Sequence, residues 1–120
     1  VTGFSFLGHL HEMMGGRLSC VVDARAVPVL PGAWAAADAC LYTAAGQRNR
    51  NHTGPFVRFE NVPFPMEEIL FDPQTSGGLL LAAAPQTAEA LAQELRAAGL
   101  PAAIVGVIRD AQPTEITVKY

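Results

Sequence analysis

Residues 70–81, with the sequence LFDPQTSGGLLL, constrain the fold of this chain more than any other stretch. Pro73 fixes its own φ angle and pushes Asp72 toward an extended conformation, which predicts a turn. Gly77 and Gly78 allow backbone angles closed to other residues and let another group approach closely. The apolar residues 79–84 that follow predict a buried strand. This composition is typical of a structural turn that enters a strand, and it also fits a loop that carries function on a rigid element.

The length and composition of the chain limit what it can be. Its 120 residues correspond to one domain, and because half of them are apolar they can bury a hydrophobic core. The net charge is −3 and the 8 lysines and arginines form no patch, so we expect no nucleic-acid partner. No apolar run reaches about 18 residues, so we expect no membrane span. No signal peptide is visible, and Cys20 and Cys40 without a CxxC motif indicate buried thiols in the cytoplasm.

The first segment predicts a helix over residues 3–14. An apolar stripe at three- and four-residue spacing supports it, formed by Phe6, Leu7, Leu10, Met13 and Met14. Thr2 is a suitable N-cap because its hydroxyl can accept from a first-turn amide. The glycines at 15 and 16 end the helix.

The polar residues His9, His11 and Glu12 on this helix raise the question of a metal site. Two histidines separated by one residue point to different faces of a helix, which does not suit coordination of one ion. We therefore interpret them as a solvated polar face and predict no metal ligand among them.

The next elements are predicted as a strand and a helix. Residues 18–23 are rich in Val and Cys, which favours a buried strand. Residues 32–43 predict a helix, and its expected buried face consists of Ala33, Trp34, Ala37, Cys40 and Leu41.

The middle of the chain, residues 44–68, is the least regular part. Residues 46–55 have no apolar anchor, which indicates a solvated loop. The alternative is an anion-facing loop, because Arg48 and Arg50 carry planar guanidinium groups suited to phosphate. Residues 56–60 predict a short strand and residues 66–70 a helical turn.

The last third predicts a second part of the same sheet. After the strand at 79–84, a helix covers residues 85–98, with Ala88, Leu91, Ala92 and Leu95 on its inner face. Strands at 103–108 and 115–119 are expected to form a hairpin around a turn at 110–113. The predicted fold class is α+β, with helices on one face of a mostly antiparallel or mixed sheet.

Two motifs in this order resemble one family. They are VTGFSFLGHL at residues 1–10 and FDPQTSGGLL at residues 71–80. In both motifs the chain resembles the C-terminal domain of selenophosphate synthetase (selenide, water dikinase). Residues 46–49 (GQRN) are also similar to the Gly- and Asn-containing middle loop of that family. Ser5 stands where the family usually has glycine.

The resemblance implies an activity and its partners. The family makes selenophosphate from selenide, ATP and water and releases AMP and phosphate, with Mg²⁺ as the metal. It belongs to the aminoimidazole ribonucleotide synthetase superfamily, in which an N-terminal domain dimerises and holds most ATP ligands, and an α+β C-terminal domain closes the cleft. Residues 1–120 would be that single C-terminal domain, with its own N-terminal domain as partner in a homodimer.

The resemblance also implies what this stretch lacks. The family places a magnesium-binding Asp directly before the residue equivalent to Val1, and its essential Lys and Cys or selenocysteine lie in the N-terminal half. We therefore expect no catalytic residue and no metal ligand within residues 1–120, no cofactor bound to them alone, and no activity from them alone.

The residues expected to line the cleft come from both motifs. Thr75, Ser76, Gly77 and Gly78 offer hydroxyls and exposed amides, which are suitable neutral donors to phosphate oxygens. Gln74 lies in the same loop, and Asp72 either organises the loop through its own backbone or holds magnesium through water. Thr2 and Gly3 at a helix N-terminus offer a second place for an anion.

Two other functions fit the same sequence. One is another ATP-dependent enzyme of the same superfamily, although relatives vary the DPQTSGG segment. The other is a non-catalytic small-molecule-binding module with a ferredoxin-like layer.

Overall fold

Four strands form one mixed sheet in the computed structural model, which describes residues 1–120. The strands are β1 (Leu18–Asp23), β2 (Val57–Glu60), β3 (Gly106–Asp110) and β4 (Ile116–Lys119). The helices are α1 (Ser5–Met14), α2 (Ala33–Asp38), α3 (Ala44–Thr53), α4 (Phe64–Phe71) and α5 (Pro85–Ala97). None of these helices combines the length and the apolar character needed to cross a bilayer.

The strand order is β2-β4-β1-β3, with β1 in the interior of the sheet. It runs parallel to β4 and antiparallel to β3, and β4 runs parallel to β2. The expected hairpin between the last two strands is therefore wrong, because β1 lies between them. The linker from β3 to β4 crosses one end of β1, where the Gln112 amide donates to the Ser19 hydroxyl at 2.8 Å. The predicted α+β class with a mixed sheet is confirmed.

The hydrophobic core is formed by α1, α4 and the inner faces of β1 and β4. The strands contribute Cys20 and Val22 from β1 and Ile116 and Val118 from β4, as alternate residues along each strand should. The helices contribute Phe6, Leu7, Leu10, Met14, Met66, Leu70 and Phe71. Met13, the remaining residue of the predicted apolar stripe, is exposed. This core fixes the first motif and the residue before Asp72 relative to the sheet.

Residues 79–84 are not a strand. They pair with no other strand, and Leu79 is 87% exposed. Leu80 packs against the core, and its neighbours lie beside Val105 and Val107 without joining the sheet. An apolar run indicates burial but does not by itself specify a hydrogen-bonding partner, and residues 79–84 stay unpaired although the outer edge of β3 is open.

The helix predicted at 32–43 is shorter than expected and mostly exposed. It ends at Asp38, and Cys40 has φ of +60°, which a right-handed helix cannot accommodate. Of the five residues expected to be buried, only Ala37 is. Alanine-rich segments carry little information about which face is covered, because alanine suits either environment.

The polar stretch predicted as a loop at 46–55 is largely helical. It forms α3, where the Thr43 hydroxyl caps the first turn by accepting from the Gly46 amide at 3.1 Å. The buried residues of α3 are Gly46, Asn49 and Thr53, so its inner face is small or polar. A search for apolar periodicity cannot detect such a helix.

Helix α1 begins at Ser5, and Thr2 is not its N-cap. Ser5 has φ of +72°, and its buried hydroxyl accepts from the Gly8 amide at 3.2 Å. Ser5 thus provides the side-chain interaction that was expected of Thr2. A left-handed φ also explains why glycine would suit this position.

The two cysteines differ in environment. Cys20 is buried and Cys40 is exposed, and both are free thiols. Burial, with a smaller contribution from the Glu115 carboxylate, raises the pKa of the Cys20 thiol to about 11. The prediction of a buried thiol is confirmed for Cys20 and wrong for Cys40.

Other sequence predictions agree with the structure. The strands at 18–23, 57–60 and 116–119 are present, and the helical turn at 66–70 lies within α4. The strand expected at 103–108 is shifted to 106–110. Helix α5 begins at Pro85 as predicted and is followed by Gly99 with φ of +82°, but Ala92 is its only fully buried residue.

Candidate functional site

The start of the chain lies directly against residues 72–78, which we call the motif loop. The Gln74 amide donates to the Thr2 carbonyl at 3.0 Å. The nitrogen of Val1 donates to the Gly78 carbonyl at 2.7 Å. The two motifs that are far apart in the sequence therefore form one surface, with the cleft-lining candidates of both side by side.

Gly77 is the position where the two motifs approach most closely. A Cβ atom there would lie 2.5 Å from the Val1 carbonyl oxygen and 2.8 Å from Gln74 Oε1. Such distances leave no room for a side chain. The neighbouring Gly78 has no such restriction, because a Cβ atom there would meet nothing within 4 Å.

The middle segment 46–49 joins this surface through Asn49. Its side-chain amide donates to the Gly3 carbonyl and to the Phe71 carbonyl, both at 3.0 Å. Gly3 belongs to the first motif, and Phe71 immediately precedes the motif loop. Asn49 therefore connects all three segments that carry the resemblance.

The hydrogen-bonding groups on the outer side of the motif loop remain free. Thr75, Ser76 and Gly78 are exposed, and the two hydroxyls have no partner within the chain. Hydroxyls and amides of this kind are neutral donors that suit an anion such as a phosphate. The arrangement can hold phosphate oxygens, but it supplies no positive charge of its own.

The Thr2 hydroxyl is not free in the same way. It is 2.8 Å from His9 Nε2, and His9 Nδ1 is 2.8 Å from Glu12 Oε2. A shallow pocket of about 360 Å³ adjoins this chain of contacts and is bordered by Val1 and Leu79. His9 therefore orients the Thr2 hydroxyl at the rim of the surface formed by the two motifs.

Asp72 ends α4 and is partly buried. Its carboxylate forms no hydrogen bond with the backbone of the motif loop, so the loop-organising interaction expected from the sequence is not present. Burial raises the pKa of this carboxyl above its usual range.

Arg50 does not face an anion site. Its Nη1 is 3.0 Å from Glu67 Oε2 and its Nη2 is 2.6 Å from Glu68 Oε1, and its guanidinium lies 4.8 Å from the centre of the Phe71 ring. The Gln47 amide also donates to Glu68, at 2.7 Å. The prediction of an anion-facing Arg50 is therefore wrong, because α4 supplies two carboxylates as its partners. Arg48, the other candidate, is exposed on α3.

The histidines of α1 are directed apart. His9 pairs with Glu12, whereas His11 Nδ1 is 2.5 Å from Glu115 Oε1 and its ring stacks on Phe56 at 4.2 Å. Nowhere do three His, Cys, Asp or Glu side chains come together in a group that could hold a metal ion.

Sequence reasoning missed Asn49 as a site residue. A signal was present: Gly46, Asn49, Arg50 and Thr53 have the spacing i, i+3, i+4 and i+7 of one helix face. The stripe is polar and small, so a search for apolar residues passed over it.

Comparison with known proteins agrees with this arrangement. The family model described as "AIR synthase related protein, C-terminal domain" matches residues 1–119. A protein named "Selenide, water dikinase" from Agathobacter rectalis is 58% identical over 107 residues, which cover 88% of this chain and 31% of that protein.

Two further relatives carry the same name. The protein from Desulfitobacterium hafniense is 40% identical over a stretch that covers 99% of this chain and 35% of that protein. The protein from Treponema denticola is 41% identical over a stretch that covers 90% of this chain and 32% of that protein. The chain thus spans about a third of the length of the curated relatives it matches. The match over residues 1–119 shows that the chain belongs to the family of AIR synthase related proteins, as a C-terminal domain of that family.

Proposed function

We propose that residues 1–120 are the C-terminal domain of a selenide, water dikinase, which converts selenide, ATP and water into selenophosphate, AMP and phosphate. The shared name of the relatives, at 40–58% identity over nearly the whole chain, supports this activity over that of another superfamily member. An N-terminal domain of the same protein, in a cytoplasmic homodimer, would complete the enzyme.

The motif loop and Thr2 form one wall of the phosphate-binding cleft in this proposal. The observation that carries it is the hydrogen bond from the Gln74 amide to the Thr2 carbonyl, which joins the two motifs. This bond leaves the hydroxyls of Thr75 and Ser76 exposed beside it. Preorganised donors of this kind stabilise phosphate oxygens without rearranging during the reaction.

The chemistry of the donors fits ATP phosphates better than Mg²⁺. Mg²⁺ prefers carboxylates and phosphate oxygens in octahedral geometry, and Asp72 is the only carboxylate on the motif loop. Burial raises the pKa of the Asp72 carboxyl, and one carboxylate alone offers Mg²⁺ too few ligands. We therefore assign phosphate contacts to the motif loop and no magnesium ligand to these residues.

We expect most of the positive charge that phosphoryl transfer needs to come from elsewhere in the enzyme. Arg50 is paired with Glu67 and Glu68, the donors of the motif loop are neutral, and exposed Arg48 is the one anion-facing candidate that stays free. Phosphoryl transfer depends on positioning together with neutralisation of the phosphate oxygens. Residues 1–120 alone would supply positioning but not the neutralisation of the phosphate oxygens, so we expect them to be inactive by themselves.

A domain exchange tests the proposal. In the resulting protein, which we call the chimera, the present chain replaces the matching C-terminal third of the Agathobacter rectalis relative. The expected result is AMP formation that requires both ATP and selenide, within about tenfold of the parent rate, because most of the replaced residues are identical. A chimera that folds and has the quaternary structure of the parent, but forms no AMP while the parent does, would overturn the proposal.

A further inference from the structure

We propose that Asn49 is a positioning residue that sets the spacing between the first motif and the motif loop. The inference rests on the proposed function for its effect on turnover, but its structural part can be measured independently. Asn49 touches neither the exposed hydroxyls nor the pocket, so it would act through the backbone segments that it holds.

The hydrogen bonds of Asn49 fix both segments at once. A side-chain amide has two N–H donors, and Asn49 directs its nitrogen to Gly3 and to Phe71 at 3.0 Å each. Both acceptors are backbone carbonyls, one residue from Thr2 and one residue from Asp72. Only about 9% of Asn49 is exposed, so water cannot easily replace it as the donor.

The helix that carries Asn49 is itself held in place. The next residue, Arg50, pairs with Glu67 and Glu68 of α4, the helix that ends at Phe71. Gln47 donates to Glu68 from the same side of α3. Helix α3 is therefore already held against α4, which leads into the motif loop. From this fixed position the Asn49 amide sets how far Gly3 of the first motif lies from the motif loop.

Loss of this donor should loosen the contact without removing the core. Asn49 bonds to the backbone carbonyl of the core residue Phe71 and to no core side chain, so the core packing would stay. The remaining direct links between the two segments would be the bonds from Gln74 to Thr2 and from Val1 to Gly78. A carboxylate in place of the amide would place negative oxygens against two carbonyl oxygens and repel both. When protonated, the same carboxyl could donate one hydrogen bond and restore part of the link.

The test compares Asn49→Asp with Asn51→Asp in the chimera. Asn51 is exposed on the same helix, so its variant has the same charge change without the buried contacts. Hydrogen exchange of the Gln74 amide, which donates to Thr2, is followed in a peptide that begins at or before residue 71. It is measured together with kcat and KM for ATP between pH 5.5 and 8. Circular dichroism confirms that each variant is folded under the assay conditions.

We expect Asn49→Asp to accelerate exchange of the Gln74 amide at least tenfold and to lower kcat at least tenfold at pH 8, with part of the loss recovered at pH 5.5. Asn51→Asp should change neither. Unchanged exchange of the Gln74 amide would overturn the inference, and so would faster exchange with kcat unchanged in an active chimera. If the chimera is inactive, the proposed function fails, and the exchange measurement still decides whether Asn49 holds the two segments together.

Discussion

The carbonyl oxygen of Thr2 accepts a hydrogen bond from the backbone amide of Gln74 at 3.0 Å. Together with the bond from Val1 to Gly78, this contact makes one surface from two segments that lie at distant positions in the sequence. Its neighbour Gly77 shows how closely the segments approach, because no side chain fits between Gly77 and Val1. The proposed role of the motif loop depends on this closeness.

Gly77→Ala tests the close approach. The new Cβ atom would lie 2.5 Å from the Val1 carbonyl oxygen, so the two segments must separate. We expect a loss of about 1–3 kcal/mol in the free energy of unfolding, as for overpacked sites, and at least a tenfold loss of turnover in the chimera. Gly78→Ala is the matched control for stability and should leave the free energy of unfolding nearly unchanged, because its Cβ atom meets no other atom of the chain within 4 Å. Equal effects of the two variants would contradict the role of Gly77.

Substitution of Thr75 and Ser76 by alanine tests the exposed donors. Neither hydroxyl has a partner within the chain, so the double variant should change the free energy of unfolding by less than about 0.5 kcal/mol. Hydrogen bonds to charged groups contribute about 1.5–3 kcal/mol, so turnover of the chimera should fall by about tenfold or more. Steady-state AMP formation and urea denaturation give the two values. Unchanged turnover would mean that the motif loop is only a structural turn.

Replacement of Ser5 by glycine should raise the stability of the domain, and replacement by alanine should lower it. A left-handed conformation costs a non-glycine residue about 1–2 kcal/mol, and glycine is only a few tenths worse than serine as a cap. We expect Ser5→Gly to raise the free energy of unfolding by about 0.5–1 kcal/mol. Ser5→Ala keeps the strained φ angle and loses the bond to the Gly8 amide, so it should lower stability by about 1 kcal/mol. Urea denaturation of residues 1–120 measures both, and a destabilised Ser5→Gly would show that the hydroxyl outweighs the strain.

Arg50→Ala should be far more disruptive than Arg48→Ala. Arg50 neutralises Glu68, whose side chain is 2% exposed, and removal of one partner of a buried ion pair costs about 3–5 kcal/mol. Arg48 is exposed on the same helix, so its loss should stay within about 0.5 kcal/mol. Thermal denaturation of the two variants compares them directly. Similar melting temperatures would mean that water already reaches Glu68.

The two cysteines should react at very different rates. Cys40 is exposed and should be modified by a thiol reagent at pH 8, whereas Cys20 is buried with a pKa raised to about 11 and should react only after unfolding. Mass spectrometry of the native protein should therefore show one modified cysteine. Modification of Cys20 in the native state at a rate similar to Cys40 would contradict its burial.

The same pKa predicts a loss of stability at high pH. The native thiol keeps its proton more tightly than the unfolded thiol, so its contribution is complete below about pH 9 and is lost as the pH rises toward 11. The loss should amount to about 2 kcal/mol, and Cys20→Ala should lack it. Urea denaturation at pH 8 and pH 10.5 of both proteins isolates this contribution from other groups.

The sequence allowed the core and the motifs to be predicted, because both leave a local signal. The apolar stripe of α1 and the alternation in β4 each report which face is covered. The composition of the motif loop likewise indicates a turn with free donors. The mixed order of the sheet left no such signal, because the pairing of β1 with β3 and β4 depends on distant residues.

The polar interior was the part least accessible to sequence reasoning. Asn49 and Arg50 are charged or polar residues in a segment without apolar residues, which is the usual sign of a solvated loop. Their partners, Phe71 and Glu68, lie on another helix, and only the folded chain brings them within hydrogen-bonding distance. The helical spacing of Asn49 and Arg50 could be found in the sequence, but the partners that they hold were visible only in the structure.

The position of β4 beside β1 has a consequence for synthesis of the protein. Cys20 of β1 is in register with Ile116 of β4, so the middle of the sheet cannot close until residues 116–119 have left the ribosome. Because translation adds about 5–20 residues per second, β1 and the apolar face of α1 remain without β4 for roughly 5–20 s. During translation this domain therefore exposes apolar surface that can aggregate, and its yield in a cell depends on what covers β1 until β4 has been synthesised.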